Sequence, residues 1–167
     1  VASMNPCPCG YYNDPNHHCT CTPTQVQRYK SKISGPLLDR IDIQIEVAPV
    51  SVTELARAPK GEPSASIRER VIAARAIQTE RYKNEHGVHC NAQMSRAMIE
   101  QFAQLDAEAA QSLQRAMRRL DLSARAYDRI LKVARTIADL DASPQIAARH
   151  IKEAIGYRSL DRGDWGE

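Results

Sequence analysis

The chain has 167 residues, of which 43% are hydrophobic and 26% charged, and its formal net charge is +3. A net charge this small does not by itself predict nucleic-acid binding, and no apolar run of about eighteen residues predicts a membrane span. The sequence also lacks the charged and apolar pattern of a secretion signal, which favours a cytoplasmic protein.

Four of the five cysteines lie near the start of the sequence, in two Cys-x-Cys pairs. They are Cys7, Cys9, Cys19 and Cys21. In a reducing compartment, paired cysteines bind metal more often than they form disulfides, and four thiolates suit a structural Zn²⁺ ion. The spacing is tighter than the usual Cys-x-x-Cys, so two disulfides or free thiols stay open as alternatives, and His17 or His18 could replace one thiol. We predict that zinc orders the loop over residues 6–21.

A short helix and a strand are predicted next. Thr22, Pro23 and Gln25 form the pattern of a capping box with proline in the first turn, which predicts a helix from Thr22 to about Ile33. Apolar and polar residues then alternate without a break over residues 41–47. This alternation predicts a β-strand with one buried face and one polar face.

The second half of the sequence is predicted to be entirely helical. A proline-containing linker over residues 51–65 separates a first part, 1–50, from a helical domain, 66–158, which is followed by a tail, 159–167. Polar residues at cap positions predict where the helices begin. These are Ser66, Ser95, Asp106, Ser123 and the pair Ser143-Pro144. The predicted fold class is therefore mostly α, an α+β fragment with one or two strands and a cysteine-rich loop ahead of the helices.

Four motifs together resemble a known family. They are residues 4–10, 35–42, 122–126 and 133–140, which read MNPCPCG, GPLLDRID, LSARA and VARTIADL. They look like the magnesium-chelatase-like AAA+ ATPases of the ComM/YifB type, and the resemblance covers nearly all of the chain. It implies that residues 1–50 are a truncated remnant of an AAA+ core and that residues 66–158 are its helical lid.

The resemblance also implies the activity of a longer parent protein. Such a parent would use ATP and Mg²⁺, assemble into a ring of six subunits, and drive branch migration of DNA during natural transformation. No G-x-x-x-x-G-K-[ST] phosphate loop occurs in this sequence, nor does a hydrophobic strand that ends in paired acidic residues. We therefore expect no ATP hydrolysis by this chain alone.

Two catalytic positions of the family match residues in the first part of the chain. Asn5 matches the sensor-1 asparagine, whose amide would orient the attacking water near the γ-phosphate. Arg40 matches the arginine finger, which would reach the nucleotide of the neighbouring subunit. The alternative for Asn5 is a plain turn before proline. The alternative for Arg40 is a local ion pair with Asp39 or Asp42.

A third position of the family falls at the start of a long helix. Arg125 matches the sensor-2 arginine, and the electropositive start of a helix would help it to bind phosphate oxygens. Arg129 is the alternate residue for this nucleotide-binding role. The competing interpretation is that both are solvated side chains on the polar face of the helix.

A basic patch follows the cysteine loop and could contact DNA phosphates. It consists of Arg28, Lys30 and Lys32. The basic helix over residues 67–83 is a second candidate track, and ordinary solvated charge explains either set equally well.

Two other functions remain compatible with the sequence. One is a magnesium-chelatase-type motor subunit that remodels a protein partner. The other is a zinc-stabilised module that only binds DNA or protein, without an ATPase parent. The arginine placed ahead of an alternating segment disfavours the second, because a binding module does not need it.

Overall fold

The computed structural model describes residues 1–51, 56–57 and 61–158. Seven α-helices are assigned within these ranges. They are α1 (Pro23–Lys30), α2 (Gly35–Leu38), α3 (Ser64–Arg81), α4 (Arg96–Phe102), α5 (Ala107–Arg119), α6 (Ala124–Leu140) and α7 (Ala148–Gly156), with a 3-10 turn at Asn91–Gln93. The mostly helical fold class is confirmed. The predicted tail, 159–167, and residues 52–55 and 58–60 of the predicted linker lie outside the described residues.

The helical part is built around α6, which packs against α3, α4 and α7, while α5 packs against α7. Its core is aliphatic and rich in alanine, with buried side chains that include Leu113, Ile130, Ala134, Ile146 and Ile151. This composition agrees with the scarcity of Phe and Trp in the sequence. In the described part of the chain, no helix has the length and apolar character needed to cross a membrane.

Most of the predicted helix starts are confirmed by their capping hydrogen bonds. At α1, the Thr22 side chain accepts from the Gln25 amide at 3.3 Å, and the Gln25 side chain accepts from the Thr22 amide at 2.8 Å. The side chains of Ser95, Asp106 and Ser123 accept from the amides three residues later, at 3.3, 2.6 and 3.2 Å. Each cap satisfies an amide that the first turn leaves without a helical partner.

Two predicted helix starts are wrong. Helix α3 begins at Ser64, directly after Pro63, so Ser66 lies inside the helix and caps nothing. Helix α7 begins at Ala148, not at Ser143-Pro144. The carbonyls of Ser143 and Pro144 instead accept hydrogen bonds from Arg135 at 2.6 and 3.0 Å, which holds these residues in a turn.

The predicted strand over residues 41–47 does not form a ladder among the described residues. Its one β pairing there is an isolated parallel bridge between Gln44 and Arg158. The predicted burial is also reversed, because Gln44 is 4% exposed whereas Ile45 and Val47 are 65% and 83% exposed. Alternation indicates which side chains share a face, but a strand forms only against a partner, and the described residues provide a single bridge.

Candidate functional site

The two Cys-x-Cys pairs converge on one point in the loop before α1. The Cys7 sulfur lies 3.3 Å from that of Cys9 and 3.8 Å from that of Cys19, and the Cys9 and Cys19 sulfurs are 3.6 Å apart. All four sulfurs, including that of Cys21, lie within 4.8 Å of one another. None of the four forms a disulfide. Two chain segments that are separated in sequence thus supply one compact set of soft donors.

The sulfur geometry fits a tetrahedral zinc ion. A Zn–S bond of about 2.3 Å in a regular tetrahedron places neighbouring sulfurs about 3.8 Å apart, which is close to the 3.3–3.8 Å observed between three of them. The donor set is Cys₄, with Cys7 fully buried. These four residues would hold the ion, and their lack of an open position is typical of a structural site.

The protonation preferences of the free thiols differ strongly within this cluster. A hydrogen bond from the Tyr11 backbone outweighs burial and lowers the pKa of Cys9 to about 5. Burial raises the pKa of Cys21 to about 12, and the neighbouring thiols act in the same direction. The Cys9 sulfur is therefore prepared as a thiolate, while the raised pKa values of the Cys19 and Cys21 thiols mean that a cation would be needed to keep both deprotonated beside it.

The histidines beside the second cysteine pair are not part of the cluster. The His17 ring contacts the Asp14 carboxylate at 3.2 Å and stacks on Tyr11 at 4.7 Å between ring centroids. Asp14 also accepts the Asn16 amide at 2.7 Å. His18 is exposed. The metal-ligand geometry found in the described residues comprises the four cysteines without a histidine.

Arg40 lies on the surface after α2. Its guanidinium donates to the Pro36 carbonyl at 3.0 Å, and the residue is exposed. The two carboxylates considered as local partners point elsewhere. Asp39 accepts from the Ser123 hydroxyl at 3.2 Å, and Asp42 pairs with Arg129. Arg40 therefore keeps its charge available at the surface.

The contact between Asp39 and Ser123 brings the Arg40 segment to the start of α6. Arg125 lies in the first turn of that helix and is exposed, and in the described part of the chain it has no hydrogen bond or ion pair. Arg129, one turn later, is engaged with Asp42. The two arginines thus differ in their local contacts, since Arg129 pairs with Asp42 and Arg125 has no hydrogen bond or ion pair among the described residues.

Asn5 directly precedes the cysteine loop and lies beside Gly10 of that loop. Its side-chain nitrogen is 3.7 Å from the place where a Cβ on Gly10 would lie. Gly10 has a φ of +88°, a conformation that glycine adopts without strain, and its amide donates to the Cys7 carbonyl at 3.1 Å. Asn5 is exposed.

The basic patch is partly anchored to the cysteine loop. The Lys30 ammonium lies 4.7 Å from the centre of the Tyr12 ring, and that of Lys32 lies 5.7 Å from the Tyr29 ring. Arg28 and Lys32 are exposed, and Lys30 is half-buried. Lys30 therefore links the end of α1 to the cysteine loop, while Lys32 packs on Tyr29 of the same helix.

The most extensively connected polar group was not predicted from the sequence. We call it the Asp139 network, and it consists of Arg81, Asn91, Arg135 and Asp139. Burial lowers the pKa of Arg135, whereas the hydrogen bond that Arg81 donates to the Asp139 carboxylate raises the pKa of Arg81. The sequence signal that could have revealed it is a charged pair, Arg135 and Asp139, spaced four residues apart within the apolar stripe of α6.

Comparison with known proteins gives a consistent result over both parts of the chain. Residues 61–158 match the family model described as magnesium chelatase, subunit ChlI C-terminal, and residues 1–55 match the model described as magnesium chelatase, subunit ChlI.

Three relatives illustrate the similarity. The uncharacterized protein YifB of Escherichia coli K12 is 43% identical over 164 residues, and competence protein ComM of Haemophilus influenzae Rd is 43% identical over 163. An uncharacterized protein of Mycobacterium tuberculosis H37Rv is 33% identical over 158 residues. These matches cover 95–97% of this chain but 31% of each relative. The chain thus spans about a third of the length of the relatives that it matches.

Proposed function

The chain belongs to the magnesium chelatase family of the ChlI type, and from that membership we propose that it forms part of a cytoplasmic AAA+ motor. This motor would hydrolyse ATP with Mg²⁺, assemble into a ring of six subunits, and drive branch migration of DNA. The chain would contribute residues that sense and complete the nucleotide site, while the phosphate loop and the magnesium carboxylates would lie elsewhere in a longer protein.

The observation that carries this proposal is the state of Arg40. It is an exposed guanidinium whose two neighbouring carboxylates are engaged with α6. A permanently charged, planar donor of this kind suits the charge that develops on a transferring phosphoryl group. In a ring, an exposed Arg40 can meet the nucleotide of the next subunit, which is the role proposed for it here.

Arg125 and Asn5 complete the set of proposed catalytic residues. Arg125 would bind phosphate oxygens, supported by its exposure and by the positive end of α6, which runs for 17 residues. Asn5 would orient the attacking water. Magnesium, when bound with ATP, would neutralise phosphate charge, and the residues of this chain would supply cationic and polar contacts around it.

We propose that the four cysteines bind one structural zinc ion and that this ion orders the loop over residues 6–21, which directly follows Asn5. The zinc would also fix the loop against α1, since Lys30 packs over Tyr12. Zinc therefore acts on structure here and does not take part in hydrolysis.

Metal analysis of the chain purified under reducing conditions is expected to find about one zinc per molecule. Cys9→Ser should reduce that content strongly, because a Cys₄ site loses one of its four ligands. Cys90→Ser is the matched control, since Cys90 lies outside the cluster beside Gln93, and it should retain the metal. Zinc-free protein under these conditions would contradict the assignment.

Reversing the charge of the patch formed by Arg28, Lys30 and Lys32 to Glu should weaken DNA binding at low salt. The slope of log K against the logarithm of the salt concentration should also become shallower by about two to three, because up to three phosphate contacts are lost. Fluorescence anisotropy with a forked DNA measures both quantities. The comparison variant carries Arg68→Glu and Arg75→Glu at exposed positions of α3. If only this variant lost DNA affinity, α3 and not the basic patch would be the DNA-binding surface.

A second candidate function is favoured by the description of the matching family, magnesium chelatase. In that case the same ATPase parts would remodel a protein partner. The DNA experiment separates the two, because a chelatase-type motor would show no specific affinity for forked DNA in the full-length protein. A zinc-stabilised binding module without ATPase activity would instead bind DNA, and Arg40→Ala would leave that DNA affinity unchanged.

A further inference from the structure

The segment that carries Arg40 is held to the helical part by a row of polar contacts. We call this row the polar seam. On one side it comprises Asp39, the Ile41 carbonyl, Asp42 and Gln44, and on the other Ser123, Arg129, Tyr157 and Arg158. The contacts flank Arg40 on both sides in sequence, so the position of its guanidinium depends on them.

Arg158 approaches both sequence neighbours of Arg40. It is 1% exposed, and its Nη1 donates to the Ile41 carbonyl at 3.1 Å while its Nη2 lies 3.7 Å from the Asp39 carboxylate. One buried guanidinium thus donates to the residue after Arg40 and lies within ion-pair distance of the residue before it. A planar fork with several fixed donors is well suited to such bridging, because both contacts constrain the same short stretch of backbone.

Asp42 and Gln44 extend the attachment. The Asp42 carboxylate pairs with Arg129 on α6, and the Gln44 amide donates to the Tyr157 carbonyl at 2.7 Å. Apolar contacts contribute little here, since Ile43 and Ile45 are 50% and 65% exposed. The place of the segment on the helical part is therefore set mainly by hydrogen bonds and ion pairs.

We propose that Asp39, Arg158 and the pair Asp42–Arg129 are positioning residues that aim Arg40. The inference rests on the proposed role of Arg40. It extends that role, since contacts with the helical part would set the position of the Arg40 guanidinium. It also assigns Arg129 to positioning and leaves Arg125 as the nucleotide contact. A misplacement of about 1 Å in a catalytic group can cost about 100-fold in rate, so loss of the seam should be visible in turnover.

The test uses charge reversal in the full-length protein. Asp42→Arg and Arg129→Asp should each lower kcat by about 10- to 100-fold, while the affinity for ATP changes little, because the inference assigns both residues to positioning and not to nucleotide binding. The double variant, Asp42→Arg with Arg129→Asp, should recover most of the lost turnover. A purely structural role would instead lower the melting temperature without this split between kcat and ATP affinity.

A matched control exists on the same helix. Arg96 and Asp128 form another Arg–Asp pair, with side chains 57% and 31% exposed, that joins α4 to α6 and includes no residue of the polar seam. Arg96→Asp should leave turnover unchanged. If the reversed Asp42 or Arg129 variants do not fold, Asp39→Asn tests the Arg158 bridge without adding a charge, and it should lower kcat in the same way.

The outcomes separate the inference from the proposed function. If Arg40→Ala is inactive but the seam variants turn over normally, or if the double variant recovers nothing, positioning by the seam is overturned and the finger role stands. If Arg40→Ala retains normal turnover, the proposed function itself fails. Reduced kcat in the single variants with recovery in the double variant supports the inference.

Discussion

Replacing Asp139 by alanine is expected to destabilise the folded chain by about 3–5 kcal/mol. The Asp139 side chain is fully buried. It accepts from Arg81 at 2.7 Å, from Asn91 at 2.8 Å and from Arg135 at 3.1 Å. Removing it would leave the nearly buried guanidinium of Arg135 without its carboxylate partner, which costs more than the lost contacts alone. Such a loss is a large fraction of the roughly 5–15 kcal/mol that stabilises a typical domain.

Urea unfolding followed by far-UV circular dichroism measures this effect. Asp128→Ala is the matched control, because Asp128 lies on the same helix and pairs with Arg96 at the surface. Its loss should cost at most about 1 kcal/mol, as is usual for exposed ion pairs. Equal destabilisation by the two variants would contradict the claim that the Asp139 network holds the helical part together.

The Asp139 network connects elements that are far apart in sequence. Arg81 ends α3, Asn91 lies in the 3-10 turn, and Asp139 is on α6, so one carboxylate ties together three stretches of the chain. The Arg135 side chain extends the network to the turn at residues 143–144 through two carbonyls. The loss of Asp139 should therefore loosen elements that are far apart in sequence.

Local chemistry explains which helix boundaries could be predicted. The caps at Thr22, Ser95, Asp106 and Ser123 were correct because a cap depends on residues within one turn. The start predicted at Ser143 was wrong because its carbonyl is held by Arg135, a side chain from the preceding helix. Sequence patterns predict a cap within one helical turn, but they do not predict a contact made by a side chain of another helix.

The same division applies to the candidate site. The cysteine cluster was predictable, because two identical Cys-x-Cys pairs in one short loop indicate a common set of metal ligands. The structure brings the four sulfurs together. The polar seam was not predictable, because its partners Asp42 and Arg129 are 87 residues apart and Ile41 and Arg158 are 117 apart. The exposure of Ile43 and Ile45 likewise could not be read from alternation, which identifies a face but not what covers it.

Arg40→Ala in the full-length protein is expected to lower kcat for ATP hydrolysis by at least about 10³-fold, the scale on which arginine fingers act. Nucleotide binding should remain largely intact, because in the proposed ring Arg40 would complete the neighbouring subunit's site. Arg40→Lys should also be strongly impaired, since an ammonium cannot reproduce the planar, two-pronged contact. Arg118→Ala, at an exposed arginine of α5, is the control and should turn over normally.

Mixed assemblies test whether Arg40 acts across a subunit boundary. Subunits with Arg40→Ala keep an intact nucleotide site but supply no finger, whereas subunits unable to bind ATP supply a finger but have no working site. Neither type is expected to hydrolyse ATP alone. Mixed together, they should recover partial turnover, because an intact site can then lie beside an intact Arg40. If Arg40 served its own subunit's nucleotide, mixing would restore nothing, since the two defects would never be complemented at one site.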